Sequence, residues 1–413
     1  MNWFGGRSSK KRKNNHVVVI GTVLVVGASF IAGNVSARFG LFIGPDSNKY
    51  SQVVKNVDYI NSYEGLFEAR DLLMKNYNGD IDDETLLQGA LKGMTASLQD
   101  PYTVYMSKKE YEKYLLSNEG IHVGIGITVS LKNDKVAVMN VEKDMPADKA
   151  NIVAGDIILK INDEEVGNSV AKVATLLQGD EGESSKITMQ KSDGGTYEVE
   201  VAKVQIKIDS ATGEMLEDNI GYIRLKDFNQ KASDSFISAL STLKDGGMKG
   251  LIIDLRGNPG GFLTEAEKIA SQFIPAGKVI TTLKDKYDKE KASLSKGGIA
   301  ENIPVVLLID GNTASASEVI TGALRDYSIA TTVGTKTYGK GVAQAPYTLK
   351  NTEGALKITV QKFYTPNGEN IHKIGIKPDY EVKITEGDTN ETYDRSKDPQ
   401  YQKALQVIKE KAK

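Results

Sequence analysis

No cysteine occurs in this chain, which excludes thiol catalysis, disulfides and thiolate metal sites. Histidine is almost as scarce. His16, His122 and His372 are the only three, scattered along the chain, so no histidine-held zinc site is expected. Basic excess is missing as well: a formal charge of −2 and a pI near 6.1 provide no field to gather nucleic acid. Nowhere does Gly, four residues, then Gly-Lys-Ser/Thr occur, so there is no phosphate loop. Neither a metal nor a cofactor is expected. No long internal repeat or low-complexity linker breaks the 413 residues, which suffice for several domains.

One long apolar run is present. Arg7, Lys10, Lys11, Arg12 and Lys13 precede VVVIGTVLVVGASFIAGNVSA (17–37), long enough to span a bilayer. Basic residues mark the inner side, placing 1–16 in the cytoplasm and everything after Arg38 outside. VSA (35–37) resembles a signal-peptidase site, but the run is long for a removable signal. The expectation is a single-pass anchor in the cell membrane, with the rest of the chain extracytoplasmic.

Residues 38–116 read as a polar stalk and a helical region. Apolar positions 66, 67, 72, 73, 86, 87, 90, 91, 94 and 98 recur at helical spacing, and SKKEYEKYLL (107–116) suggests another helix. Such faces could pack on their own chain or on a second copy. Next, IHVGIGITVSLKNDKVAVMNVEKDMPADKANIVAGDIILKINDEEV (121–166) has short alternating strands, a Gly-x-Gly turn and Ala-Gly-Asp opening a strand. This order resembles a PDZ domain, spanning 117–205. The resemblance implies that Val123, Gly124, Ile125 and Gly126 receive a peptide C-terminus, whose chain adds to the sheet edge.

Residues 206–392 alternate strands, loops and helices, which predicts an α/β core with a mostly parallel, helix-covered sheet. IPVVLLIDG (303–311) is a continuous apolar strand, 278–296 is polar hairpin material, and 393–413 ends in an amphipathic helix (398–411).

Three stretches of this core could carry chemistry. DLRGNPGGFL (254–263) closes a buried strand with glycines that free backbone N–H groups, although a tight turn alone would also want them. In TASASEVITGALRDY (313–327), Ser315 and Ser317 stand where a strand gives way to a helix. Ser315-Ala-Ser-Glu318 also spells a capping box, so either nucleophile or cap fits. TYGKGVAQ (337–344) holds Lys340 between two glycines, as a solvated loop charge or as a base near the same strand ends. A lysine base must be neutral, which burial can bring about.

Together these motifs, with DPYTVYM (100–106), the PDZ-like stretch and DPQYQKAL (398–405), resemble the C-terminal processing (tail-specific) peptidases over roughly residues 60–410. That resemblance implies a crotonase-like protease core with an inserted PDZ domain, and a serine endopeptidase acting through a Ser–Lys dyad. It assigns Ser315 as nucleophile, Lys340 as base and Gln344, one turn beyond, as the residue orienting the dyad. Ser317 falls at a helix-start position. Gly260 or Gly261, with Ala316, supply the oxyanion donors. Asp326 has no settled role. The implied partners are protein or peptide substrates presenting C-terminal tails, and family members dimerise through segments such as 63–116 and 398–411. One departure stands out: Gln178, Asp180 and Glu181 lie where the family commonly has an arginine and basic residues that couple PDZ to dyad. Crotonase-like acyl-CoA enzymes and a PDZ adaptor without activity are the alternatives. Ser241-x-x-Lys244 and Ser293-x-x-Lys296 match the penicillin-binding-protein spelling, but Ser-Asp-Asn and Lys-Thr-Gly do not follow.

Overall fold

The computed structural model describes residues 61, 63–132, 134–207, 209–383 and 395–413, so the expected anchor (17–37) lies outside the described residues. Among those described, no helix is long and apolar enough to cross a membrane. The chain divides into two compact units, residues 1–90 and 91–413.

Helix α1 (Glu64–Asn76) belongs to the first unit, together with the opening turns of α2 (Asp83–Ala96). Arg70 grips the Asp83 carboxylate with both Nε (2.6 Å) and Nη2 (2.7 Å), the two-pronged geometry its planar fork favours. The helical spacing is realised, yet α1 has no buried residue. Leu66, Phe67, Leu73, Leu86, Leu87 and Ala90 line an apolar cavity of about 300 Å³.

The second unit begins with the rest of α2 and continues through β1 (Val104–Met106), α3 (Lys108–Asn118) and β2 (Ile121–Gly124). Ser107 and Glu110 cap α3 reciprocally, as SKKE spells. A module follows: β3 (Ile127–Lys132), β4 (Lys135–Val141), α4 (Pro146–Lys149), β5 (Ile157–Ile161), β6 (Glu164–Glu165), α5 (Val170–Leu177), β7 (Ser184–Gln190) and β8 (Thr196–Ala202). Its antiparallel sheet runs β3-β4-β5-β7-β8, so β3 is an edge strand. Alternate residues Ile187, Met189 and Val201 point into one buried cluster with Val136, Val138, Ile158 and Ile161. Strand β9 (Val204–Lys207) then pairs antiparallel with β2, from Ile121↔Lys207 to Gly124↔Val204. Chain entry and exit therefore lie side by side, the mark of an inserted domain.

Beyond it come β10 (Ala211–Met215), β11 (Ile220–Leu225), α6 (Ala232–Asp245), β12 (Gly250–Asp254), α7 (Leu263–Ser271), β13 (Val279–Asp285), β14 (Glu290–Leu294), β15 (Val305–Ile309) and α8 (Ala316–Asp326). The chain ends with β16 (Ala330–Gly334), β17 (Val342–Thr348), β18 (Ala355–Tyr364), β19 (Tyr380–Glu381) and α9 (Pro399–Lys411). The main sheet is ordered β10-β11-β12-β15-β16-β19 and is parallel except for β10 at its edge. A second sheet joins β1-β18-β13-β14, with β17 also on β18. The polar stretch 278–296 is the β13–β14 hairpin.

Burial on both faces explains the unbroken apolar run of β15. Val305, Leu307 and Ile309 face the cluster containing α6, α7 and α8, whereas Val306 and Leu308 face Tyr401, Ala404, Val407 and Ile408 of α9. The tail helix therefore buries its apolar face on its own sheet. Because β12 and β15 are adjacent and parallel, their C-terminal loops meet at one end of the sheet.

Candidate active site

The loop after β12 is held by a buried asparagine. Asn258 Nδ2 donates to the Leu225 carbonyl (2.9 Å), and its Oδ1 accepts the Gly260 N–H (2.9 Å). Its carbonyl oxygen accepts from both Ala314 N–H (3.0 Å) and Ser317 Oγ (3.0 Å), binding this loop to the one after β15. Gly260 has φ +97°, and a Cβ there would stand 2.7–2.9 Å from Ala314 O, Ser315 Cβ and Ala316 N. Only glycine lets the two loops approach this closely. Gly260 N–H is committed to Asn258, whereas Gly261 N–H meets no acceptor among the described residues.

The two serines part company here. Ser317 is fully buried and its hydroxyl is engaged by Asn258, so it is a structural link. Ser315 is half-buried and lines a cleft of about 550 Å³. Its backbone sits at φ +55°, ψ −115°, outside the regions open to L-residues without strain. Strain of that kind costs of order 1–3 kcal/mol and is retained where the surroundings enforce it. The capping box forms, but only its carboxylate half is a full hydrogen bond: Glu318 Oε2 accepts Ser315 N–H at 2.9 Å. As first residue of α8, Ala316 has no intrahelical acceptor for its N–H.

Glu318 does far more than cap. Fully buried, it accepts Thr337 Oγ1 (2.6 Å) and Gly339 N–H (2.8 Å) on Oε1, and Ser315 N–H (2.9 Å) and Lys340 N–H (2.8 Å) on Oε2. Four donors on one carboxylate fix the serine turn and the lysine loop to each other. The glycines flanking Lys340 serve the same end. A Cβ on Gly339 would stand 2.8 Å from Gly375 N, and one on Gly341 2.6 Å from His372 N. They let segment 371–375 pack against the loop, and Lys340 is half-buried.

Lys340 opens into the cleft with Ser315, Ala316, Gly261 and Gln344. Burial, aided by the positive charge of Lys357, lowers its pKa from the ordinary lysine value near 10.5; Asp100 and Glu318 oppose this. No hydrogen bond joins its amine to the Ser315 hydroxyl; Nζ stands 4.9 Å from the centroid of the Tyr102 ring. Gln344 lies on β17, two residues into a strand, which corrects the expected helical turn between it and the lysine. Its Nε2 donates to Val342 O and Thr359 Oγ1, both at 3.3 Å. Asp326 is bound at the far end of α8 by Arg325 (2.8 Å) and Asn367 N–H (3.0 Å), a structural set of contacts.

In the inserted domain, Val123 and Gly124 end β2, while Ile125 and Gly126 turn toward β3. The Ile125 and Gly126 carbonyls accept Ala147 N–H and Glu142 N–H, each at 2.9 Å, but their own N–H groups meet no acceptor among the described residues. The acidic departure also has partners. Asp180 pairs with Lys109 (2.5 Å) and Lys113 (3.4 Å) of α3, and Gln178 O accepts from the buried Lys203 (3.1 Å). Sequence reading missed Asn258, Glu318, Tyr102 and Lys357. Asn258 and Tyr102 lay within the quoted stretches 254–263 and 100–106 and Glu318 within the capping-box spelling, whereas no signal pointed to Lys357.

Comparison with known proteins agrees with this architecture. Residues 219–382 match the model of peptidase family S41, 123–202 that of a PDZ domain, and 44–110 the activating protease CtpB N-terminal domain. The carboxy-terminal processing protease CtpA of Bacillus subtilis is 31% identical over 366 residues, covering 88% of this chain and 74% of that protein. Among solved structures, the photosystem II D1 C-terminal processing protease has a TM-score of 0.51 at 24% identity, covering 78% of this chain and 89% of its own. Mature CPAF has a TM-score of 0.52 at 13% identity, covering 83% and 91%. At those identities the structures speak for the fold alone. With its S41 core, inserted PDZ domain and CtpA relative, the chain belongs to peptidase family S41, the C-terminal processing serine proteases.

Proposed function

We propose that this protein is a serine endopeptidase in which Ser315 attacks and Lys340 acts as base. The observation that carries this reading is the shared cleft: it is lined by a strained serine, an amine with lowered pKa, and Gly261 and Ala316, whose N–H groups meet no acceptor among the described residues. Neutral Lys340 takes the Ser315 proton as Oγ bonds to the substrate carbonyl carbon. Gly261 and Ala316 N–H groups receive the oxyanion, with Gly260 shaping the cradle instead of donating. The ammonium gives its proton to the leaving amine, and water then hydrolyses the acyl-enzyme. Ser315→Ala and Lys340→Ala each abolish cleavage of an unfolded protein while leaving the melting temperature close to wild type. Full activity in either would refute the dyad.

Substrates on this reading are exported proteins whose C-termini dock at Val123–Gly126 and extend along the free edge of β3. The pair of uncommitted N–H groups at Ile125 and Gly126 supports carboxylate capture. A substrate with a free C-terminus is cleaved faster than its amidated form, and equal rates would count against docking. Residues 17–37 anchor the enzyme with its catalytic part outside the cytoplasm, supported by the basic flank and apolar run. Protease added to intact spheroplasts digests the core if so. Open apolar positions on α1 support pairing with a second copy, to be checked by light scattering.

A further inference from the structure

The Asp100–Thr103 turn ahead of β1 has no part in the chemistry above, yet it is firmly held. Asp100 accepts Tyr102 N–H (3.0 Å) and Thr103 Oγ1 (2.6 Å), and Thr103 Oγ1 accepts Thr359 N–H of β18 (3.0 Å). Tyr102 thereby stands at a fixed height beside β18, its neighbour β17 and the lysine loop. Lys340 Nζ lies over its ring, 4.9 Å from the centroid. The ring also meets His372 in a T-shaped contact, with centroids 6.3 Å apart. That histidine sits on the 371–375 segment packed against Gly339 and Gly341.

Lys340 has no carboxylate partner among the described residues. Glu318 Oε1 and Oε2 are occupied by four other donors, and Asp100 by Thr103 and Tyr102. This suits a base that must be uncharged before the reaction and charged during it. A carboxylate in contact would favour the ammonium permanently and leave little free amine. An aromatic face attracts the ammonium more weakly, and its carbon surface keeps water from the neutral form.

We propose that Tyr102 is a positioning residue for the base: its ring face holds the Lys340 amine and stabilises the ammonium formed as the Ser315 proton arrives. This rests on the dyad reading. As the Oγ–carbon bond forms, the proton moves from Oγ to Nζ, and the positive charge appears where the ring's electron-rich face already lies. The same face releases it when the leaving amine takes the proton. The charged and titratable groups facing this pair are Lys357 of β18, Asp100 of the turn, Glu318 of α8, Tyr338 of the lysine loop and His372. None supplies a contacting negative charge in the ring's place.

The test measures kcat and KM against pH for Tyr102→Phe, Tyr102→Leu and the full-length enzyme carrying progressively fluorinated phenylalanine at 102. Tyr102→Phe keeps the face and stays within about threefold of wild type, with an unmoved acid limb. Tyr102→Leu lowers kcat about tenfold with KM unchanged, and its acid limb moves to lower pH because the ammonium has lost its partner. Fluorination produces the same trend in steps. Wild-type kcat in Tyr102→Leu or in the fluorinated series overturns the proposal, as does a fall in kcat with an unmoved acid limb. If Tyr102→Leu does not fold, the fluorinated series decides, since it preserves ring shape. Inactive Ser315→Ala and Lys340→Ala beside indifferent ring variants would remove Tyr102's role alone. Active dyad variants would remove the dyad and this proposal together.

Discussion

Two glycine turns expose backbone N–H groups in this molecule, and they are built to different tolerances. The core turn at 257–261 is cross-braced: Asn258 grips it from within, Ser317 and Ala314 from the serine side, and Phe228 by exchanging bonds with Gly260 O (3.1 Å) and Phe262 N–H (2.7 Å). The domain turn at 124–126 is held by strand pairing and two backbone bonds. Gly124 has nothing nearer to a would-be Cβ than Ile206 Cδ1 at 3.8 Å, and Gly126 abuts the Met145 side chain where Gly260 abuts backbone atoms. Developing charge on a reacting oxygen must be met in one place, where a small misplacement costs much of the rate. A peptide carboxylate can settle into a softer cradle.

That contrast can be broken deliberately. The largest effect is expected from Gly260→Ala, whose Cβ would press on both serine-side backbone atoms; kcat should fall by about 10²-fold or more, read in a peptide-cleavage assay. Next is Gly126→Ala. With φ +85° and a Cβ 2.4 Å from Met145 Cβ, it should weaken C-terminal peptide docking by about tenfold in calorimetry while leaving cleavage of a short, domain-independent peptide intact. Lys357→Met sharpens the core side electrostatically. On the proposed dyad, Lys340 acts when deprotonated, so activity rises as pH climbs through its lowered pKa. Removing the like charge raises that pKa, shifting the acid limb of kcat/KM to higher pH and slowing the enzyme a few-fold below it. The smallest effect belongs to Gly124→Ala, expected to change docking by less than about twofold.

The sequence disclosed what periodicity and short motifs encode. Alternation and apolar runs gave the parallel core, the hairpin at 278–296 and the tail helix, because burial on one or both faces writes itself into neighbouring residues. Ser315 and Lys340 surfaced through motifs, though taken alone each had a stronger bland reading, a helix cap and a solvated loop charge. Hidden were contacts whose partners lie far apart in the chain. Glu318 spelled only a cap, since its bonds to Thr337, Gly339 and Lys340 cross 19 to 22 positions. Tyr102 is hundreds of residues from the amine it faces, and nothing in a tyrosine's identity names its neighbour. Gln344 was expected one helical turn beyond the lysine but lies on a strand, because Gly-Lys-Gly-Val-Ala-Gln carries no signal separating a helical turn from the start of β17.

The buried carboxylate of Glu318 also limits how this enzyme can be switched. On the proposed dyad, nucleophile and base hang from one rigid bracket, so a regulator cannot idle the protein by pulling their backbones apart without breaking a sealed joint. Control is left to swivelling the lysine's flexible stem or to blocking the mouth of the cleft, which makes α3 and the docked domain the levers to watch.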